Sequence, residues 1–181
     1  MPRLLLINGL PGCGKSTVAR SYTADHSLSL CVEIDQLRES IGAPSRHPRR
    51  AESMARRIAL SMAEVALSEC RDVVVPRFVV RSAGCVELAM LAQGCAAEFI
   101  EVVLVEDRES AMVRMMGNEP GRVDPGRRRA CALLDHTGAR ESAQLMHDRL
   151  QHAMTVRQFA RPVFLVRGDV DRTYRDVLRC L

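Results

Sequence analysis

Residues 3–17 of the chain read RLLLINGLPGCGKST, and this stretch decides the fold. It begins with a short apolar run that is typical of a buried strand. Glycines stand at positions 9, 12 and 14 directly after the run, and from position 15 the residues KSTVARSYTADH can continue as a helix. The order of these parts predicts a strand, a tight glycine-rich turn and a helix.

Lys15 is the only lysine in the sequence, because Lys and Arg together number 26 and 25 of these residues are arginine. Such an excess of arginine is typical of GC-rich coding. At each of the other 25 Lys or Arg positions, the residue is arginine. We therefore infer that position 15 requires a compact ammonium group, for which a broad planar guanidinium is no substitute.

The segment GLPGCGKS matches the pattern GxxxxGK[ST] in the strand–turn–helix context that this phosphate-binding motif requires. Backbone amides at a helix N-terminus, together with the helix dipole, favour a bound anion there. We expect Lys15 to reach the β- and γ-phosphates of ATP and the Ser16 hydroxyl to bind Mg²⁺. The predicted nucleotide-binding residues are Gly9, Leu10, Pro11, Gly12, Cys13, Gly14, Lys15, Ser16 and Thr17.

The rest of the chain alternates apolar runs with helical patterns. Further strands are predicted at 28–35, 71–76, 99–106 and 162–168, and the longer helices at 49–69, 82–93 and 139–159. Strands that alternate with helices favour a parallel sheet covered on both faces. At 181 residues and 47% hydrophobic residues, we expect one α/β domain over 1–181, with a five-stranded parallel sheet and the P-loop NTPase fold.

Residues 117–138 have the composition of a lid. Within them, NEPGRVDPGRRR contains two prolines, two glycines and four arginines. This composition is typical of a loop rather than of a helix or strand. We expect an arginine-rich lid over the phosphates, where positive charge would stabilise the transferring group.

Several classes of protein are disfavoured. The net charge of +4 is spread along the chain, and the seven cysteines form no CxxC pair, which is typical of a reducing cytosol. No stretch approaches the roughly 18 apolar residues of a membrane span, so we expect a cytoplasmic protein that does not enter the membrane. A GTPase would carry NKxD, which a chain without a second lysine cannot contain. The sequence leaves the oligomeric state open.

Asp35 stands at the end of the second predicted strand, where parallel sheets open onto their ligands. Arg38 follows one helical turn later, so the pattern DxxR places a carboxylate beside a cation. Asp35 can alternatively act as the N-cap of the short helix that follows.

With GLPGCGKST, then IDQLR at 34–38, then Arg114 before an arginine-rich loop, the chain resembles the small P-loop kinases related to adenylate kinase. These include polynucleotide 5′-hydroxyl kinases and chloramphenicol phosphotransferase-like enzymes. The run VVVPRFVVR also resembles small "AAA family ATPase" proteins of high-GC bacteria. The resemblance implies that Asp35 accepts the proton of an acceptor hydroxyl, that Arg38 orients the acceptor or the phosphoryl group, and that Arg114 contacts adenine and phosphate.

The sequence departs from these kinases at two positions. Asn118 replaces a second arginine, which leaves the lid arginines as substitutes in catalysis: Arg122, Arg127, Arg128 and Arg129. Pro76 replaces a carboxylate at the end of the third strand, so Asp35 is also expected beside Mg²⁺, together with Ser16. Glu106–Asp107 follows the fourth predicted strand and is a candidate for the acidic pair that an ATPase places at a strand end. It is more simply explained as the cap of the next helix.

Arg77 and Arg81 follow the third strand and can bind an anionic group of the acceptor, or can pair with surface carboxylates. The predicted function is transfer of the γ-phosphate of ATP to a hydroxyl of a small molecule such as a nucleoside, an antibiotic or a sugar. A nucleic-acid 5′-hydroxyl kinase and a regulatory ATPase are the alternatives. With no Trp, two Tyr and four Phe, the chain offers few rings on which bases could stack, so nucleic acid is the less favoured partner.

Overall fold

The computed structural model describes residues 1–116, 139–157, 159–165 and 169–181 of the protein. Its strands are β1 (Arg3–Gly9), β2 (Leu30–Cys31), β3 (Val73–Pro76), β4 (Glu98–Val105) and β5 (Arg161–Phe164). Its helices are α1 (Lys15–Asp25), α2 (Ile34–Glu39), α3 (Pro48–Ser68), α4 (Ser82–Gly94), α5 (Arg108–Met116), α6 (Ala139–Val156) and α7 (Val170–Leu178).

The five strands form one parallel sheet in the order β2-β3-β1-β4-β5. Strand β1 is central, with Leu4 opposite Val73 of β3 on one side and Phe99 of β4 on the other. In open parallel sheets, ligands bind at the carboxyl edge where the strand order reverses, which here is the end of β1. The predicted α/β fold with a five-stranded parallel sheet is confirmed.

Alternate side chains of β1 enter opposite layers of the core. Leu4 and Leu6 pack with residues of α3 and α4, whereas Leu5 and Ile7 pack with residues of α1 and α7. A strand buried on both faces has no polar alternation, which explains the continuous apolar run in the sequence. The long helix α3 faces the sheet with small residues spaced four apart, Ala51, Ala55, Ala59 and Ala63.

Strand β2 is much shorter than the predicted 28–35. Only Leu30 and Cys31 are in the strand, although the Val32 amide still donates to the Val74 carbonyl. The chain then turns at Glu33, and Asp35 lies in the first turn of α2 instead of at a strand end. β2 is an edge strand with one neighbour, and its pairing ends at Cys31–Val74 although β3 continues to Pro76, because the chain leaves the sheet to begin α2.

Strand β5 begins at Arg161, and the Leu165 amide continues its ladder by donating to the Val105 carbonyl. The last three residues of the predicted strand, 166–168, lie outside the described residues. Within the described ranges, no helix has both the length and the apolar character needed to cross a membrane. The described cysteines are all free thiols.

Candidate functional site

The glycine-rich turn between β1 and α1 requires glycine at two positions. Gly14 precedes α1 with φ 92°, a left-handed conformation that other residues adopt at a cost. A Cβ on Gly9, whose φ is 153°, would lie 2.7 Å from Cys13 Sγ and 3.1 Å from the Leu104 carbonyl oxygen. A side chain at Gly9 would therefore press on both Cys13 of the turn and Leu104 of β4, so glycine keeps the turn compact.

The Lys15 ammonium closes this turn. Its Nζ donates to the Leu10 carbonyl oxygen at 2.7 Å. Cys13, between these residues in the sequence, is buried and its amide donates to the same carbonyl. An ammonium has three hydrogens, so Lys15 retains donors for an anion while it bridges the turn. The structure therefore places a cation and the N-terminus of α1 at one small opening.

Glu33 is the carboxylate that contacts the phosphate loop, and sequence reasoning missed it. Ser16 Oγ donates to Glu33 Oε2 at 2.8 Å, and the Glu33 side chain is only 12% exposed. Arg20 lies on its solvent side, with Nη1 at 3.4 Å from Glu33 Oε1. The sequence signal that could have identified Glu33 is its position. Glu33 lies two residues before Asp35, just after an apolar run that ends at the carboxyl edge of the sheet.

This arrangement fits a hard divalent cation. A hydroxyl that donates its proton to a carboxylate keeps its oxygen lone pairs for a metal. Mg²⁺ binds nucleotide sites through few protein ligands and completes its shell with phosphate oxygens and water. Among the described residues, no group of three or more His, Cys, Asp or Glu side chains could hold a metal ion.

Asp35 and Arg38 both lie on α2, directly after Glu33. Asp35 is half-buried. The Arg38 side chain is 14% exposed, and its Nη2 donates to Glu39 Oε1 at 2.7 Å. Arg38 Nε is buried and has no hydrogen-bond partner among the described residues. An unsatisfied buried donor costs about 1–3 kcal/mol, which a ligand acceptor at this position would recover.

Arg114 connects α5 to the phosphate loop. Its Nη1 donates to the Pro11 carbonyl oxygen at 2.5 Å, and its guanidinium also binds both oxygens of Glu106. Glu106 therefore orients Arg114. Asp107 caps α5 by accepting from the Ser110 amide at 2.8 Å, as the simpler explanation of this pair predicted. The nucleotide contacts expected of Arg114 stay a prediction.

The arginines after β3 have different surroundings. Arg77 Nη2 donates to Glu52 Oε1 of α3 at 2.9 Å, and each of these side chains is 27% exposed. Arg81 precedes α4 and is exposed. The structure thus gives Arg77 a carboxylate partner, while Arg81 is open to solvent. The predicted lid residues Arg122, Arg127, Arg128 and Arg129, and Asn118, lie outside the described residues.

The sheet order, the phosphate loop after central β1 and the lysine that closes it define the P-loop NTPase fold. A family model described as "AAA domain" matches residues 4–119, and the chain belongs to this AAA domain family. No curated protein matches the sequence significantly.

Solved structures show the same architecture. A gluconokinase from Sinorhizobium meliloti 1021 superimposes with a TM-score of 0.60 at 17% identity, over 98% of this chain and 90% of that chain. The tunicamycin resistance protein of Deinococcus radiodurans gives 0.60 at 16% identity, over 99% and 95%. The Pnkp1/Rnl/Hen1 RNA repair complex gives 0.58 at 17% identity, over 87% of this chain and 47% of that chain. At such identities the similarity establishes the fold, and it confirms the resemblance to small P-loop kinases seen in the sequence.

Proposed function

We propose that the protein is a phosphotransferase that uses ATP and Mg²⁺ to phosphorylate a hydroxyl of a small molecule, such as a nucleoside, an antibiotic or a sugar. The observation that carries the proposal is the hydrogen bond between Ser16 of α1 and Glu33 at the start of α2. This bond holds the helix that bears Asp35 and Arg38 beside the phosphate loop. In this proposal Asp35 is the base and Arg38 the cation that meet the acceptor beside the phosphates.

In the proposed reaction, the phosphate loop and Lys15 bind the polyphosphate and neutralise its charge. Ser16, oriented by Glu33, holds Mg²⁺, which when bound polarises the phosphates and screens their charge. Asp35 accepts the proton of the acceptor hydroxyl while the oxygen of that hydroxyl attacks the γ-phosphorus. The bond from that phosphorus to the bridging oxygen breaks, and the electron pair leaves with ADP. Arg38, whose Nε is buried without a hydrogen-bond partner among the described residues, would bind the acceptor or the transferred group.

Fold similarity agrees with this proposal without fixing the acceptor. The proteins of similar structure include a gluconokinase and a tunicamycin resistance protein, whose names concern a sugar acid and an antibiotic. Both are small molecules. A sparse metal site and a single candidate base are sufficient because in-line transfer depends mainly on positioning and electrostatics.

The decisive experiment incubates the protein with γ-labelled ATP and a pooled library of hydroxyl compounds, and identifies the labelled product by mass. Asp35→Asn is expected to bind ATP normally while transfer falls about 10²- to 10⁴-fold, the usual contribution of a general base. Glu64→Gln makes the same change from carboxylate to amide at an exposed position of α3, serves as the matched control and should transfer normally. Transfer that persists in Asp35→Asn would contradict the assigned base.

A 5′-hydroxyl nucleic acid is a second candidate acceptor, and one observation favours it. Arg46, Arg49 and Arg50 lie before and within the first turn of α3 and are all exposed, and that turn contains no acidic residue. A nucleic acid would show binding that weakens steeply with salt, because each phosphate contact releases counterions. An oligonucleotide with a 5′-hydroxyl in the same labelling assay separates the two acceptors.

A further inference from the structure

Three polar side chains lie in the core beneath the candidate site. Asn8 of β1 is fully buried, Glu101 of β4 is 1% exposed, and Arg157, just after α6, is 3% exposed. They are far apart in the sequence: Asn8 and Glu101 are separated by 93 positions, and Glu101 and Arg157 by 56. None of them belongs to the nucleotide site described above. We call this set the buried polar cluster.

Asn8 connects the end of β1 with the segment that follows β3 and with a side chain of β4. Its Oδ1 accepts from the Gly9 amide at 2.8 Å and from the Val79 amide at 2.9 Å. Its Nδ2 donates to the Val79 carbonyl at 2.7 Å and to Glu101 Oε1 at 2.9 Å. One side chain thus satisfies both polar groups of Val79 and also holds the first residue of the phosphate loop.

Arg157 also hydrogen-bonds with Val79 and Glu101. Its Nη2 donates to the Val79 carbonyl at 2.9 Å, and its Nη1 donates to Glu101 Oε1 at 2.8 Å. The same Nη1 lies 2.5 Å from Cys85 Sγ. Val79 therefore accepts hydrogen bonds at its carbonyl from two buried side chains, and the charge of Arg157 is balanced by Glu101.

Val79 is the centre of a short segment, residues 77–81, that we call the acceptor arm. Arg77 and Arg81 stand at its two ends, and the Arg77 amide donates to the Ile7 carbonyl of β1 at 3.0 Å. Its apolar residues alternate between layers: Val79 is buried with α3 and α4, while Phe78 and Val80 pack in the cluster that contains Leu10 of the phosphate loop. The arm has no regular secondary structure, so its position depends on these contacts.

A buried ion pair is weak evidence for stability, because desolvation costs as much as the attraction returns. The directional bonds of the pair, in contrast, determine where the arm lies. We propose that Asn8, Glu101 and Arg157 are positioning residues that hold the acceptor arm at a fixed place relative to the phosphate loop. The function of the arm rests on the proposed phosphotransfer, but its placement by the cluster does not.

Hydrogen exchange measured by NMR on the wild-type protein is the first test. The Val79 amide should exchange as slowly as the amides of β1, since its only route to solvent is unfolding of the core. Exchange of Val79 at the rate of an exposed loop would overturn the proposal without any variant.

The second test removes both charges together, so that no lone charge is left in the core. In Arg157→Met/Glu101→Leu, the global free energy of unfolding is expected to change little. Exchange within 77–81 should accelerate at least about tenfold, in conditions where the rest of the sheet exchanges as before. Cys85→Ser is the matched control: Cys85 contacts Arg157 and Glu101, whereas the hydrogen bonds that hold Val79 come from Asn8 and Arg157, so this variant should leave the arm protected. Should the double variant not fold, Arg157→Lys, which retains a cation, is used instead.

The third readout is kinetic and uses the acceptor that the labelling assay identifies. In the double variant the dissociation constant of ATP should stay near the wild-type value, while kcat falls roughly 10- to 100-fold, the loss expected when a reacting group is displaced by about 1 Å. Faster exchange in 77–81 with unchanged kcat would refute the functional role. Faster exchange in the double variant, combined with a wild-type protein that transfers no phosphate to any acceptor, would instead retain the positioning role and refute the proposed reaction.

Discussion

At the scale of single residues, Lys15 illustrates how composition can carry structural information. The sequence has replaced lysine by arginine everywhere else, and the structure shows the Lys15 ammonium bound to the Leu10 carbonyl inside the turn. The Lys15 side chain folds back onto a carbonyl only five residues away, and a compact ammonium on a flexible stem suits this confined turn better than a broad planar guanidinium.

Lys15→Arg is therefore expected to weaken ATP binding at least about tenfold, or 1.4 kcal/mol, although the charge is unchanged. Titration with a fluorescent ATP analogue measures the affinity. Arg20→Lys, on the exposed face of the same helix, is the opposite exchange and should bind ATP like the wild type. Equal affinity in Lys15→Arg would show that charge alone matters at this position.

Glu33 makes a prediction about the metal. If Glu33 orients Ser16, Glu33→Gln should reduce the apparent affinity for Mg²⁺ in the presence of ATP by about 10- to 100-fold, as for other residues that support a metal ligand. ATP binding without Mg²⁺ should change little, because the phosphate loop is intact. The measurement is a Mg²⁺ titration of nucleotide binding by calorimetry, which requires no turnover.

Arg20→Ala is the control for Glu33, because it removes the exposed partner of the same carboxylate but leaves the Ser16 bond. It should bind Mg²⁺ normally. Identical Mg²⁺ curves for Glu33→Gln and the wild type would assign Glu33 a purely structural role.

At the scale of elements, α7 is set by a single cap. The Asp169 side chain accepts from the Arg172 amide at 2.8 Å, and α7 packs on α1, where Tyr174 donates to Asp25 at 2.8 Å. Asp169→Ala should lower the free energy of unfolding by about 1 kcal/mol, the usual effect of losing an N-cap. Urea denaturation measures the change. Asp171→Ala removes only a charge near the helix dipole and should cost less, about 0.3–1 kcal/mol.

The elements also show how far sequence reasoning reaches. The strand, turn and helix around the phosphate loop were predictable because their signals are local: an apolar run, glycines and a helical pattern. The length of β2 was not predictable, because it depends on how many residues of this edge strand pair with β3, and that pairing is a tertiary contact. Glu33 was missed for a related reason, since the residue that faces Ser16 depends on where β2 ends. Asn8, Glu101 and Arg157 meet only through tertiary packing.

At the scale of the whole molecule, the Cys85 thiol, which contacts the buried polar cluster, predicts that the free energy of unfolding depends on pH. Burial raises the pKa of Cys85 to about 11, with a further contribution from the charge of Glu101, while Arg157 acts in the opposite direction. The folded protein therefore favours the neutral thiol. This contribution to stability is present below pH 9, the ordinary pKa of a thiol, and is lost as pH rises toward 11.

The unfolding free energy should fall between pH 9 and pH 11, and the fall should be less steep in Cys85→Ser, whose hydroxyl does not ionise in this range. The comparison concerns the slope with pH, because the substitution also changes packing. Cys70→Ser, at an exposed thiol, is expected to keep the wild-type slope. A wild-type slope in Cys85→Ser as well would show that other groups cause the alkaline loss.

The helices that flank residues 117–138 are attached at two different points. Arg114, near the end of α5, binds the Pro11 carbonyl of the phosphate loop, and Arg157, just past α6, binds the Val79 carbonyl. Both attachments are made by residues outside 117–138 itself. A chimaera that carries the corresponding stretch of a small P-loop kinase would therefore keep both attachments, because the exchanged residues make neither of them.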